Sequence, residues 1–133
     1  MTTAGFGERD LPTLLRTMRP RLEDGEWVFV TVEPASAGVR ALATFHEAEG
    51  LSAVVSREDA DAHAWTYDLV TAWISLTVHS ALDAVGLTAA VSARLAEANI
   101  SGNVVAARHH DHLFVPLSRA AEALDLLRDL GRA

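Results

Sequence analysis

The chain has 133 residues, of which 50% are hydrophobic and 22% are charged, so it can bury a core and is not intrinsically disordered. Its formal net charge of −7 and its isoelectric point near 5.2 argue against a nucleic-acid-binding protein, which needs a basic surface. The chain has no cysteine, and its 11 basic residues are all arginine, which excludes thiolate, iron–sulfur and Schiff-base chemistry. Catalysis would have to use hydroxyl, imidazole or carboxylate groups.

The first residues, MTTAGFGERDLP, lack the apolar segment of a signal peptide and carry acidic residues early. No apolar run in the sequence approaches the length needed to cross a bilayer. We therefore expect a cytoplasmic protein with no membrane partner. We also expect residues 1–10 to form a disordered tail.

Residues 11–68 predict a first half that contains a short helix, three strands and a second helix. The strands are indicated by β-rich apolar runs, and the second helix by Ser56 followed by acidic residues. In chain order these elements cover residues 11–18, 27–32, 41–47, 51–56 and 57–64. Residues 33–40 predict a loop where a helix would complete the pattern, so we regard this half as degenerate.

Residues 69–133 predict a second half with the order strand, helix, strand, strand, helix. A strand over residues 73–78 is followed by a break at Gly86. Leu87, Val91 and Leu95 then form one apolar helix stripe, and Asn99 ends that helix. Strands over residues 104–108 and 113–117 flank a turn at residues 109–112, and a last helix begins after Ser118.

The second half resembles the ACT domain, a βαββαβ fold that senses amino acids. The resemblance is carried by the strand ISLTV, the loop ending in Gly86 and Leu87, the helix ending in AEANI, the strand beginning at Asn103 and the strand HLFVPL. The stretches WVFVTVEP, ALATFHEAEGL, WISLTVHSALDAVGLTAAVS and HDHLFVPL together resemble a small family of proteins with two ACT domains. This second resemblance covers nearly the whole chain.

The resemblance implies an α+β fold with tandem ferredoxin-like, ACT-like halves, in which an antiparallel sheet carries helices on one face. It also implies a non-catalytic regulatory protein that binds a small molecule, most plausibly an amino acid, needs no cofactor and forms a homodimer. The chain departs from the family at Val85, because ACT domains often carry proline just before the loop glycine.

The turn between the first strand and the first helix of the second half is the predicted ligand site. It consists of Asp83, Ala84, Val85, Gly86, Leu87 and Thr88. The start of a helix offers unpaired N–H groups to a carboxylate, and glycine allows a ligand to approach the backbone. Asp83 can pair with an α-ammonium group, Thr88 can donate its hydroxyl, and Asn103 on the neighbouring strand can contact polar atoms.

Two other clusters predict different chemistry. His109, His110, Asp111 and His112 are of types that bind zinc or nickel, but strand alternation points them to opposite faces, so a solvated hairpin turn is the simpler interpretation. Glu47 and Glu49 share one face of a strand and form a pair of carboxylates without a nucleophile motif nearby.

The alternatives to a ligand-binding regulator are therefore a small enzyme and a structural protein. The enzyme would be metal-assisted or acid/base, using the histidine cluster of residues 109–112 with Glu47 or Glu49. The structural protein would bind a partner and keep only a vestigial site.

Overall fold

Seven strands form one antiparallel sheet in the computed structural model, which describes residues 7–33 and 40–132. The strands are β1 (Pro20–Leu22), β2 (Trp27–Val32), β3 (Ala41–Glu47), β4 (Gly50–Ser56), β5 (Thr71–Leu76), β6 (Asn103–Ala106) and β7 (Asp111–Pro116). The helices are α1 (Leu11–Thr17), α2 (Arg57–Ala62), α3 (Leu87–Glu97) and α4 (Ala120–Arg132), the last preceded by one 3-10 turn. The strand order is β3-β4-β2-β5-β7-β6, and β1 pairs with β5 beside β2. Within the described residues, no helix is long and apolar enough to span a membrane.

One face of the sheet carries the helices and most of the core. In the second half, Ile74 and Leu113 are fully buried beneath α1, α3 and α4. In the first half, Val28 is fully buried in a smaller core that includes α2. Trp27 of β2 pairs with Thr71 of β5, which makes the two halves one continuous sheet. The predicted α+β fold, an antiparallel sheet with helices on one face, is confirmed.

The opposite face of the sheet is concave and aromatic. Phe29 and Phe114 meet edge to face with ring centroids 5.5 Å apart. The two edge strands approach each other across this face, because Ala43 of β3 and Val105 of β6 line the same cavity. The sheet is therefore curled.

The N-terminal segment packs on the second half although it precedes the first half in sequence. The predicted first helix is present as α1, and its Leu14 is fully buried in the core of the second half. β1 pairs with β5, with Pro20 opposite Leu76 and Leu22 opposite Ile74. β1 therefore supplies a fourth strand beside β5, β7 and β6. The division of the chain between residues 68 and 69 stays a prediction.

The prediction of a disordered tail over residues 1–10 is wrong for residues 8–10, which the structure describes. The N–H of Glu8 donates to the carbonyl of His79 (2.7 Å), and the N–H of Ala81 donates to the carbonyl of Glu8 (2.9 Å). Asp10 caps α1 by accepting a hydrogen bond from the N–H of Thr13. Residues 1–6, and residues 34–39 of the predicted loop, lie outside the described residues.

The strands of the second half begin earlier than the sequence predicts. β5 covers Thr71–Leu76 instead of residues 73–78, and β7 covers Asp111–Pro116 instead of residues 113–117. The cause is pairing, since Thr71 lies opposite Pro116 at one end and Leu76 lies opposite Asp111 at the other. The turn predicted at residues 109–112 consequently lies at residues 107–110.

Candidate functional site

The loop between β5 and α3 ends at a glycine whose conformation few other residues adopt. Gly86 has a φ of 108° and is the N-cap of α3, and no side chain makes a capping hydrogen bond there. A Cβ on Gly86 would lie 2.8 Å from Cδ2 of Leu11 on α1. The backbone N–H groups in the first turn of α3 consequently have no side-chain acceptor.

A cavity of about 130 Å³ lies against this helix start. Its walls come from the β5–α3 loop, the first turn of α3, the end of β6 and the start of β7. The lining residues are Ser80, Ala81, Leu82, Ala84, Gly86, Leu87, Thr88, Ala106, Ala107 and Asp111. The cavity is therefore built at the edge of the sheet where β5 and β6 end and β7 begins.

Asp111 is the charged residue of this cavity. It is the first residue of β7, and alternation along the strand places it on the helix-facing side with Leu113 and Val115. Only 8% of Asp111 is exposed, and within the described chain its carboxylate has no hydrogen bond or ion pair. No fully enclosed side-chain oxygen or nitrogen among the described residues lacks a partner, so the Asp111 carboxylate faces the open space of the cavity.

Burial changes the ionisation of this carboxyl group. Burial raises the pKa of Asp111 above its ordinary value, and the nearby His112 and His110 oppose that rise in pKa. A buried carboxylate without a partner is costly, and a bound cation would offset that cost. The cavity therefore combines a site for a positive group at Asp111 with a site for a negative group at the start of α3.

Four of the seven predicted site residues line the cavity, namely Ala84, Gly86, Leu87 and Thr88. The other three do not. The side chain of Asp83 is 70% exposed and accepts a hydrogen bond from Nε of Arg9 at 2.8 Å. Val85 is 82% exposed. These two residues of the turn therefore face solvent.

Asn103 lies at the other end of β6. Its Nδ2 donates to the carbonyl of Phe114 (3.4 Å), whereas Ala106, three residues further along β6, pairs with Asp111 beside the cavity. Three residues of strand span about 10 Å. The structure does not bring Asn103 to the predicted turn.

The HHDH motif predicts a turn, so Asp111 is not among the predicted lining residues. Alternation along D-H-L-F-V carries a usable signal, since a strand that buries Leu113 and Val115 also places Asp111 on the core side. Ser80 and Ala107 carried no such signal, because loop geometry alone places them at the cavity.

The histidines of that motif lie in two places. His110 and His79 have ring centroids 4.7 Å apart on the loop side, and His109 lies 5.5 Å from His79. His112 lies on the concave face, where Nε1 of Trp73 donates to its Nδ1 at 3.0 Å. Burial, with a contribution from His110, lowers the pKa of His112, which favours the neutral ring that accepts this bond.

In the part of the chain that the structure describes, the residues of the enzyme alternative do not form a metal site or an acid/base site. No group of three or more His, Asp or Glu side chains there could hold a metal ion. Glu47 accepts a hydrogen bond from Ser52 on the β3–β4 hairpin, and none of the described contacts joins it to a histidine. β3 ends at Glu47 and Glu49 lies in the turn before β4, so the two carboxylates do not share a strand face as predicted.

The fold defines a class of α+β domain in which helices cover one face of an antiparallel sheet and a loop at the edge of the sheet leads into the first turn of a helix. Family models described as the ACT domain match residues 6–72 and residues 69–129. The chain belongs to the ACT domain family and carries two such domains in tandem. ACT domains are regulatory domains that bind small molecules.

Several solved structures are similar to the chain. A Vibrio cholerae protein of unknown function, described as a possible transport protein, is 42% identical over 91% of this chain and 95% of that one, with a TM-score of 0.82. An Agrobacterium tumefaciens protein is 19% identical, with coverages of 86% and 89% and a TM-score of 0.61. The regulatory subunit of aspartate kinase from Thermus thermophilus is 10% identical, with coverages of 86% and 98% and a TM-score of 0.63. The last two likenesses show the fold alone. No curated protein matches the sequence.

Proposed function

We propose that this protein is a non-catalytic regulator that binds a small amino acid in the cavity at the start of α3. One observation carries the proposal: the buried, unpartnered carboxylate of Asp111 and the uncapped first turn of α3 line the same cavity. An α-amino acid has a positive and a negative group joined by one carbon. The helix start suits its carboxylate, and Asp111 suits its ammonium group.

The volume of the cavity limits the size of the ligand that it can hold. Its volume of about 130 Å³ lies well below the roughly 300–1,000 Å³ of sites for drug-sized molecules. The walls next to the helix start are small or apolar, with Ala84, Ala106 and Ala107 beside Leu87. A short side chain therefore fits this proposal better than a long or aromatic one.

A thermal-shift screen of the twenty amino acids against the intact protein tests the proposal. A ligand that binds only the native state raises the free energy of unfolding by about 2.7 kcal/mol at a concentration of 100 times its Kd, and the melting temperature rises accordingly. We expect one or more short amino acids to stabilise the protein, and the matching amine and carboxylic acid alone to stabilise it much less. No stabilisation by any of the twenty at millimolar concentration would contradict the proposal.

Gly86→Ala is expected to lower the free energy of unfolding by about 1–2 kcal/mol. The reasons are the positive φ of 108° and the 2.8 Å approach of the new Cβ to Leu11. Urea denaturation measures the change. Val85→Ala, at the neighbouring position that is 82% exposed, is the control and should change the free energy by no more than about 0.5 kcal/mol. Equal effects of the two substitutions would show that the turn tolerates a side chain at Gly86.

The proposal includes a homodimer. The sheet ends at β3 and β6, whose outer edges pair with no other described strand, and Phe45 on β3 is 74% exposed. Open edges favour pairing with a second copy. Light scattering after gel filtration should give about twice the chain mass of 14.3 kDa, and Phe45→Asp should shift the protein towards the monomer. A monomer at every concentration tested would exclude the dimer.

A further inference from the structure

A cavity larger than the one at the start of α3 lies where the carboxyl-terminal ends of α1 and α4 meet the start of β1. Its volume is about 370 Å³, and four arginines line it together with Pro20 and Gly131. The four are Arg16, Arg19, Arg128 and Arg132. None of these residues lines the cavity at the start of α3, so the two sites are separate.

Helix ends bring these arginines together. Arg16 lies in the last turn of α1, and Arg19 follows the end of that helix. Arg128 and Arg132 are four residues apart near the end of α4, and therefore lie on the same side of that helix. The two helix ends approach closely, because a Cβ on Gly131 would lie only 2.9 Å from the carbonyl oxygen of Leu15.

The charge of this cavity is opposite to that of the whole chain. The chain has a net charge of −7 and 11 arginines, and four of these arginines converge here. Arg132 pairs with Asp129, and Arg16 donates to Oγ1 of Thr13. The side chains of Arg19 and Arg128 make no hydrogen bond or ion pair with any described residue.

The local negative charge does not balance four guanidinium groups. The carboxyl-terminal ends of α1 and α4 together contribute roughly one negative charge, and Asp129 contributes one more. Helix-end stabilisation therefore accounts for only part of the arrangement. Several like charges around one cavity raise the local affinity for anions.

We propose that this cavity binds a small anion with two or more negative charges on phosphate or carboxylate oxygens. Guanidinium groups bind such oxygens through paired, charge-assisted hydrogen bonds, and Arg19 and Arg128 have these donors available. The volume of about 370 Å³ lies within the range of small-molecule sites and exceeds that of the cavity at α3. The protein therefore has an anion site besides its amino-acid site.

Isothermal titration of the intact protein with pyrophosphate and, separately, with citrate tests this site in low-salt buffer. We expect at least one of the two anions to bind, with an affinity that falls as salt is added. The double substitution Arg19→Gln with Arg128→Gln should weaken binding by about tenfold or more. Binding of pyrophosphate alone would assign the site to phosphates, and binding of citrate alone would assign it to polycarboxylates.

Two comparisons make the experiment decisive. Arg40→Gln removes one positive charge from an exposed residue outside the cavity and should leave the affinity within about twofold of the wild type. Circular dichroism would verify that the double variant is folded. No binding of either anion to the wild type, or equal weakening by Arg40→Gln and by the folded double variant, would overturn the site.

Discussion

Leu14→Ala is expected to lower the free energy of unfolding by about 2–5 kcal/mol, as is usual for a large-to-small substitution in a well-packed core. Leu14 is 0% exposed and contacts the core of the second half, although it belongs to the first helix of the chain. Removing its side chain would leave a cavity between α1 and the residues of α3 and α4. Urea denaturation followed by tryptophan fluorescence would measure the loss.

Leu82→Ala is the matched control for this experiment. It makes the same chemical change at a residue that is 74% exposed, and its effect should stay within about 0.5 kcal/mol. If Leu14→Ala behaved like Leu82→Ala, α1 would not be part of the core. A loss confined to Leu14→Ala would show that the second half depends on residues from the start of the chain.

Asp111→Asn is expected to stabilise the ligand-free protein by up to about 1 kcal/mol near neutral pH, because it removes a charge that burial disfavours while the side chain still faces the open cavity. The sign follows from the raised pKa of Asp111 in the folded state. In the unfolded protein this carboxyl group loses its proton near pH 4, so the charge destabilises the folded wild type only above that pH. The difference between the two proteins should shrink as the pH falls through the folded-state pKa towards pH 4.

The same substitution should abolish the stabilisation by an amino acid. Asparagine keeps the size of the side chain but not the charge that pairs with an ammonium group. Asp83→Asn is the control, because Asp83 has the same chemistry, lies outside the cavity and pairs with Arg9. Thermal-shift measurements with the best amino acid from the screen compare the two variants. Loss of the ligand effect in Asp83→Asn alone would place the ammonium site at the turn and contradict a role for Asp111.

Elements with a strong local pattern could be predicted from the sequence. β2 and β3 have the predicted bounds, because runs such as WVFVTV have few alternatives to a strand. α3 begins at Leu87 as predicted, because Gly86 separates two different periodicities. In contrast, β1 is three residues long and begins with proline, and only its pairing with β5 makes it a strand.

The candidate site could be predicted only in part for a similar reason. The glycine turn is a local feature, so the sequence predicts Gly86 and Thr88 as site residues, and both line the cavity. The position of Asn103 depends on strand direction: β5 and β6 are both antiparallel to β7 and thus run the same way, so the start of β6 lies far from the end of β5. The burial of Asp111 depends on the helices that cover its face of the sheet. The position of Asn103 is not encoded in neighbouring residues, whereas strand alternation gives the face on which Asp111 lies but not how deeply the helices bury it.

The pairing of β1 with β5 also constrains when the protein can fold during synthesis. β1 leaves the ribosome early, but its partner strand begins about fifty residues later, and β7 and α4 follow near the end of the chain. Because synthesis adds roughly 5–20 residues per second, the apolar face of α1 stays exposed for several seconds before the residues that bury it have been made. We therefore expect this core to form only after α4 has been made, with slow kinetics typical of contacts that join distant parts of a sequence.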